Sequence, residues 1–192
     1  MRQETKQEIR HRILDARLRL PDGERATKSQ RILETLFATD LFRRSGQIFS
    51  YYPIRGEVDT RPLLQRAVLP GKRLALPCTT KQGLRFFYVE DPADLSPGRF
   101  EIPEPRDCAP ADAGKETLLL LPGIAFSEQR DRIGFGKGYY DRYLAAHPHL
   151  RTIALCFDLQ IVPHIPAEAT DRRPELIITE TRILGETQTY DT

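Results

Sequence analysis

Apolar and polar residues near the start of the chain recur with the period of amphipathic helices. Thr5 followed by Glu8 has the spacing of a capping box, which predicts a first helix over about residues 5–19. Asp22 follows a proline and is positioned to cap a second helix. The pattern therefore predicts an N-terminal helical pair over about residues 5–38.

Beyond the helical pair, short apolar runs bounded by glycine and proline indicate strands. The predicted strands are 48–52, 73–76, 84–89, 117–121, 153–157 and 176–179. A third helix is predicted from Thr60 through Ala67 and Val68 to Gly71, and a fourth up to about residue 146. Uninterrupted apolar runs are typical of strands covered on both faces. We therefore predict an α/β fold: one domain over residues 1–192, with a mostly parallel or mixed sheet flanked by helices on both faces.

A long connection over residues 91–116 is rich in proline, aspartate and alanine. Loops of this length in compact domains are often binding loops or lids. A plain surface excursion is equally consistent with the composition.

Composition limits the classes of function. The formal net charge is only +2, with 29 Lys and Arg against 27 Asp and Glu, which argues against a nucleic-acid partner but leaves room for a local phosphate site. The three cysteines are far apart and lack a C-x-x-C spacing, which favours a reducing compartment. No apolar stretch approaches the roughly 20 residues that span a bilayer. We predict a cytoplasmic protein without a membrane partner, either a monomer or a weak homo-oligomer.

A glycine-rich segment at residues 132–141 carries the most chemical information. Gly134, Gly136 and Gly138 allow backbone N–H groups to converge on a ligand, and the predicted helix that follows directs its positive end to the same place. Arg132 and Lys137 add two cations. The spacing is neither a Walker A motif nor G-x-G-x-x-G. Taken alone, the segment predicts an anion site, with a tight structural turn as the alternative.

The same segment resembles a known family. Pro122-Gly123-Ile124-Ala125-Phe126 followed by Arg132-Ile133-Gly134-Phe135-Gly136-Lys137-Gly138-Tyr139-Tyr140-Asp141-Arg142 is similar to the signature of 5-formyltetrahydrofolate cyclo-ligases. Further agreement comes from residues 6–10, 52–60 and 157–180, so that the resemblance extends from about residue 6 to 183.

The resemblance implies magnesium- and ATP-dependent cyclisation of 5-formyltetrahydrofolate to 5,10-methenyltetrahydrofolate, with magnesium as cofactor and ATP as co-substrate. It implies catalytic roles for Lys137 and Arg132, ATP binding by Lys6, Arg10, Arg132, Gly134, Gly136, Lys137, Gly138, Tyr139 and Tyr140, substrate binding by Tyr52, Glu57, Phe135 and Tyr139, and metal binding by Asp141 and Asp171. The predicted partners are therefore two small molecules, ATP and 5-formyltetrahydrofolate. Three positions depart from the usual pattern: Phe135 at a variable site, Ser127 in place of a frequent acid, and Glu175 where aspartate is common.

Simpler interpretations remain for several of these residues. Lys6 and Arg10 lie one turn apart on a predicted helix, which is also the pattern of a solvated basic face. Asp141 in a first helical turn is favoured by the helix dipole without any metal. At the level of function, the alternatives are a non-catalytic nucleotide-binding or regulatory relative and, less favoured by the charge balance, an RNA-binding protein that uses the basic first helix.

Overall fold

A computed structural model describes residues 4–65, 69–98, 101–166 and 172–185. Its helices are α1 (Lys6–Leu18), α2 (Asp22–Ala38), α3 (Asp40–Arg44) and α4 (Tyr139–Ala146). Its strands are β1 (Gln47–Phe49), β2 (Arg73–Thr80), β3 (Gly83–Val89), β4 (Leu95–Pro97), β5 (Pro103–Pro105), β6 (Pro110–Ala111), β7 (Thr117–Leu121), β8 (Ala125–Ser127), β9 (Arg132–Ile133), β10 (Arg151–Leu155), β11 (Ile161–Val162), β12 (Leu176–Ile178) and β13 (Ile183–Leu184). None of the helices in these ranges is both long and apolar enough to cross a membrane.

Eight strands form the main sheet in the order β13-β12-β10-β7-β1-β2-β3-β6. The five strands from β12 to β2 are parallel, and the strands outside them pair antiparallel. The direction of strand addition reverses at β1, because β2 lies on one side of it and β7 on the other. In open α/β sheets, ligands bind outside the carboxyl ends of the strands at such a switch point. The loops after β1 and β7 are therefore the expected walls of a site.

Both faces of the main sheet are covered, as predicted. Leu118 and Leu120 pack in one cluster with residues of α2, whereas Leu119 and Leu121 pack in another with residues of α4. This alternation explains why β7 is apolar at each of these positions. The α/β prediction with helices on both faces is confirmed.

The N-terminal helices exist as predicted but pack on different sheets. The capping box is confirmed, since the Glu8 amide donates to Thr5 Oγ1 and the Thr5 amide donates to Glu8 Oε2. Ile9 and Ile13 of α1 pack against a small separate sheet, β11-β8-β9, whereas α2 contacts β12 in the main sheet. Because β9 leads into the glycine-rich segment, α1 lies beside that segment.

Two predictions at element ends were wrong. Asp22 does not cap α2: Pro21 occupies the cap position, and the Asp22 carboxylate instead pairs with Arg25. The first strand ends at Phe49 rather than at residue 52. Beyond the strand, the carbonyl oxygen of Tyr51 accepts a hydrogen bond from Thr60 Oγ1.

Other boundaries also moved. The described part of the third predicted helix is a 3₁₀ turn, Arg61–Leu64, and Ala67 and Val68 lie outside the described residues. The strand predicted at 153–157 begins two residues earlier and ends at Leu155. The connection at 91–116 contains the β4–β5 hairpin and β6, which pairs with β3, so in its described part it is an extension of the sheet region.

Candidate active site

The glycine-rich segment forms a loop between β9 and α4. Gly138 precedes α4 with a left-handed φ of +62°, a conformation that glycine adopts at little cost, and no side chain caps the helix. The first amides of α4 are therefore available to a ligand, and an anion is favoured there by the helix dipole. Lys137 is exposed in the same loop. The arrangement suits a phosphate group.

Arg132 and Asp141 join the two ends of this loop. Arg132 Nη2 donates to Asp141 Oδ1 at 2.6 Å, and Arg132 Nη1 donates to the carbonyl oxygen of Pro122 at 3.3 Å. The arginine is only 8% exposed, whereas Asp141 is partly open to solvent. The charged pair thus fixes the loop ends against the segment that follows β7.

Arg10 of α1 contacts the glycine loop directly. Its Nε donates to the carbonyl oxygen of Gly134 at 3.0 Å, and its guanidinium lies close to Gly136. Lys6 is half-buried one turn earlier on α1. The two basic residues are therefore beside the predicted phosphate site, and their contact with a nucleotide stays a prediction.

Glu57 lies buried in the loop that follows β1. Its Oε2 accepts a hydrogen bond from the Ile54 amide at 3.0 Å. Burial raises the pKa of Glu57 to about 7, against the opposing effects of the Arg17 charge and the Ile54 amide. Burial and the neighbouring Glu57 also raise the pKa of Tyr51 and of Tyr140, so that tyrosines from two elements surround this carboxyl group.

Four buried side-chain atoms in this region have no hydrogen-bond partner among the described residues: Arg17 Nη2, Tyr51 Oη, Glu57 Oε1 and Arg132 Nε. A buried polar atom without a partner costs about 1–3 kcal/mol, and such atoms are rare in folded proteins. Their concentration around the carboxyl ends of β1 and β7 indicates a place built for a polar ligand or for ordered water.

The remaining predicted substrate and metal residues lie in different surroundings. Phe135 is 37% exposed, and the Arg55 guanidinium lies 5.7 Å from its ring centroid, so the glycine loop meets the loop after β1. Tyr139 lies under Arg142, with 5.2 Å between the guanidinium carbon and the ring centroid. Tyr52 is half-buried and lies beside Arg61, whose pKa is raised mainly by Asp59 and in part by Tyr52. Asp171 is outside the described residues.

Sequence reasoning missed Arg17 and Tyr51. A signal for Arg17 was present, because it continues the four-residue spacing of Ile9 and Ile13 and so lies on the buried face of α1. For Tyr51 the signal was weaker, since adjacent tyrosines alternate in direction and the strand was predicted to continue through both.

Two of the departures from the family pattern have structural roles. Ser127 Oγ donates to Asp131 Oδ2 at 3.1 Å and accepts from the Asp131 amide, which closes the turn between β8 and β9. Glu175 receives two hydrogen bonds from Arg151 Nε and one from the Thr152 amide. Both side chains therefore stabilise the elements around the site.

Comparison with known proteins gives a consistent result. The model of the 5-formyltetrahydrofolate cyclo-ligase family matches residues 2–180. A probable 5-formyltetrahydrofolate cyclo-ligase of Caenorhabditis elegans is 29% identical over 204 aligned positions, covering 98% of this chain and 97% of the relative. The 5-formyltetrahydrofolate cyclo-ligase of Escherichia coli K12 is 31% identical over 137 positions, covering 67% and 74%. The NMR structure of Aquifex aeolicus 5,10-methenyltetrahydrofolate synthetase matches with a TM-score of 0.83 at 30% identity, covering 97% of this chain and 95% of that one. The resemblance found in the sequence is confirmed.

Proposed function

Because the chain belongs to the 5-formyltetrahydrofolate cyclo-ligase family, we propose that it uses ATP to cyclise 5-formyltetrahydrofolate to 5,10-methenyltetrahydrofolate. The γ-phosphoryl group passes from ATP to the formyl oxygen, which turns that oxygen into part of a good leaving group. Nitrogen 10 of the folate attacks the activated carbon and loses its proton, the ring closes, and phosphate departs. The products are 5,10-methenyltetrahydrofolate, ADP and phosphate.

The nucleotide half of the proposal uses the glycine loop. The amides between Gly134 and Gly138 and the first turn of α4 hold the phosphates, and Lys6 and Arg10 approach them from α1. Lys137 stabilises the negative charge that spreads over the transferred phosphoryl group. Phosphoryl transfer depends mainly on positioning and charge stabilisation, so no protein nucleophile is required.

The folate half uses the residues around Glu57. Glu57 accepts hydrogen bonds from ring N–H groups through Oε1, which is buried and has no partner among the described residues. Tyr52, Phe135 and Tyr139 offer aromatic surface to the substrate, and the partial exposure of Phe135 leaves its ring accessible. The formyl group then lies between these residues and the glycine loop.

Magnesium fits the donors that are present. Asp141 has one carboxylate oxygen bonded to Arg132 and a second that makes no hydrogen bond to the described residues. Within those residues no group of three or more His, Cys, Asp or Glu side chains could hold a metal alone, but magnesium commonly takes one or two carboxylates together with phosphates and water. Asp141 and Asp171 would hold it, and the bound ion would neutralise phosphate charge.

The observation that carries the proposal is that the glycine loop, which precedes a helix without a side-chain cap, lies next to buried polar atoms that have no hydrogen-bond partner among the described residues. The test follows growth of the methenyl chromophore after 5-formyltetrahydrofolate, magnesium and ATP are mixed with the protein. We expect product and ADP in equal amounts, and none without ATP. Binding of ATP without formation of either product would instead identify a non-catalytic relative.

Replacing Arg132 by lysine is expected to reduce kcat/KM by about 10- to 100-fold, the size of losing a hydrogen bond to a charged group. Lysine keeps the charge but lacks the planar guanidinium group, whose two terminal nitrogens donate to Asp141 and to the Pro122 carbonyl oxygen. Steady-state kinetics by the chromophore assay measure the effect. Arg151→Lys is the matched control, because Arg151 also pairs with a carboxylate but lies at the amino end of β10. Equal values of kcat/KM for both variants would contradict a role for the two hydrogen bonds of the Arg132 guanidinium group.

A further inference from the structure

Arg17 is a fully buried cation that joins the two loops of the switch point. It is 0% exposed, although it lies on a helix whose other arginines are partly or fully exposed. Its Nε donates to the carbonyl oxygen of Arg55 at 3.1 Å, and its Nη1 donates to that of Gly123 at 2.9 Å. Arg55 is in the loop after β1 and Gly123 is in the loop after β7. One side chain thus holds the loop after β1 and the loop after β7 together.

The contact at Gly123 is sterically restricted. A Cβ at this position would lie 2.3 Å from the Phe126 ring, so only glycine fits. Gln160 Nε2 donates to the same Gly123 carbonyl at 3.0 Å. The acceptor of the Arg17 hydrogen bond is therefore fixed by independent packing, which makes it a rigid anchor for the guanidinium.

Arg17 is also the cation that acts on Glu57. The two side chains form no ion pair, and Arg17 Nη2 and Glu57 Oε1 both retain an open hydrogen-bonding position. The positive charge nevertheless lowers the pKa of Glu57 against the effect of burial. The other titratable groups near Glu57 are Tyr51 from the loop after β1 and Tyr140 from α4, and the pKa of each is raised by burial and, to a smaller extent, by the Glu57 charge.

We propose that Arg17 is a positioning residue for the folate: it fixes the loop that carries Glu57 against the loop after β7 and holds its positive charge near the Glu57 carboxyl group. This inference rests on the proposed function of the residues around Glu57. It assigns to α1 a second task beside the contact of Arg10 with the glycine loop, so that a single helix holds the nucleotide loop at one end and the folate loop at the other.

The test compares Arg17→Met and Arg17→Lys with wild type across about pH 5.5 to about pH 9, using kcat/KM for 5-formyltetrahydrofolate, which reports groups of the free enzyme. Wild type is expected to lose kcat/KM as the pH falls through about 7, when Glu57 becomes protonated. This fall of kcat/KM on the acidic side of the pH profile is its acid limb. In Arg17→Met the acid limb should move to higher pH by about 1–3 units, because one nearby opposite charge usually shifts the pKa of a carboxyl group by that amount. Arg17→Lys should keep the limb near its wild-type position.

Arg12→Met is the matched control, since Arg12 is on the same helix, half-exposed and paired with Glu4. It should leave the acid limb unchanged. A folded Arg17→Met protein that has lower activity and an unmoved limb would overturn the inference and leave Arg17 as a loop clamp only. If Arg17→Met does not fold by circular dichroism, the lysine variant decides: an acid limb that moves by a unit or more although a cation is retained contradicts the proposal.

A second readout does not depend on turnover. Carbon-13 NMR of labelled glutamate carboxyl groups follows the titration of Glu57 directly, with Glu57→Gln to assign the signal. A higher midpoint in Arg17→Met than in wild type supports the inference, and equal midpoints overturn it. If wild type forms no methenyl product, the proposed function fails, whereas the NMR comparison still decides whether Arg17 controls the charge of Glu57.

Discussion

Replacement of Lys137 by methionine is expected to lower kcat by about 100- to 1,000-fold, the effect of removing one preorganised stabilising group from a transition state. Lys137 is exposed in the glycine loop, so its loss leaves the core unchanged. Its ammonium group would lie beside the transferred phosphoryl group, where no other side chain of the loop carries a charge. The chromophore assay gives kcat, and the thermal melting temperature reports whether the fold is retained.

Lys81→Met is the appropriate comparison for that experiment. Lys81 is equally exposed but lies in the turn between β2 and β3. It should retain wild-type kcat and melting temperature. Near-normal turnover in Lys137→Met would refute the assignment of Lys137 to the transition state, whatever the behaviour of the control.

The stability of the protein should depend on pH through Glu57. Its pKa is about 7 in the folded state and near 4.5 when exposed, so the folded state holds the proton more tightly. The resulting stabilisation is present below about pH 4.5 and is lost as the pH rises through about 7. Relative to Glu57→Gln, the free energy of unfolding of wild type should therefore fall by about 3 kcal/mol between about pH 4.5 and about pH 8.

Urea unfolding at a series of pH values measures this difference. Arg17 lowers the pKa of Glu57 in wild type, so its effect on that carboxyl group is part of the measured difference. Glu34→Gln serves as control, since Glu34 is exposed on α2. Parallel curves for wild type and Glu57→Gln would show that Glu57 titrates like a solvated carboxyl group.

Local patterns were sufficient to predict the parts of the fold that depend on local chemistry. The apolar run Thr117–Leu121 is a central strand because both of its faces are covered, and the Thr5–Glu8 capping box starts α1. The glycines at 134, 136 and 138 form the loop before α4, since that backbone geometry is encoded in a few adjacent residues.

The remainder depends on contacts between distant parts of the chain. The place of β7 between β1 and β10 is a pairing of strands that are distant in sequence, and no local signal marks it. In the sequence, Arg17 is one of several basic residues of α1. Its role depends on hydrogen bonds to the carbonyl oxygens of Arg55 and Gly123, which are 38 and 106 positions away. Likewise, Glu57 in the loop after β1 interacts with Arg17 of α1 and Tyr140 of α4, so its raised pKa could not be predicted from its neighbours in sequence.

One edge strand of the main sheet, β6, has only two residues, Pro110–Ala111. Proline has no backbone N–H, so half of this strand offers no donor to an approaching chain. Exposed edge strands act as templates for strand pairing between molecules, and short edge strands that contain proline oppose such pairing. Aggregation by continuation of the sheet beyond β6 is therefore disfavoured, and copies of this chain that associate on this side are expected to do so through side chains.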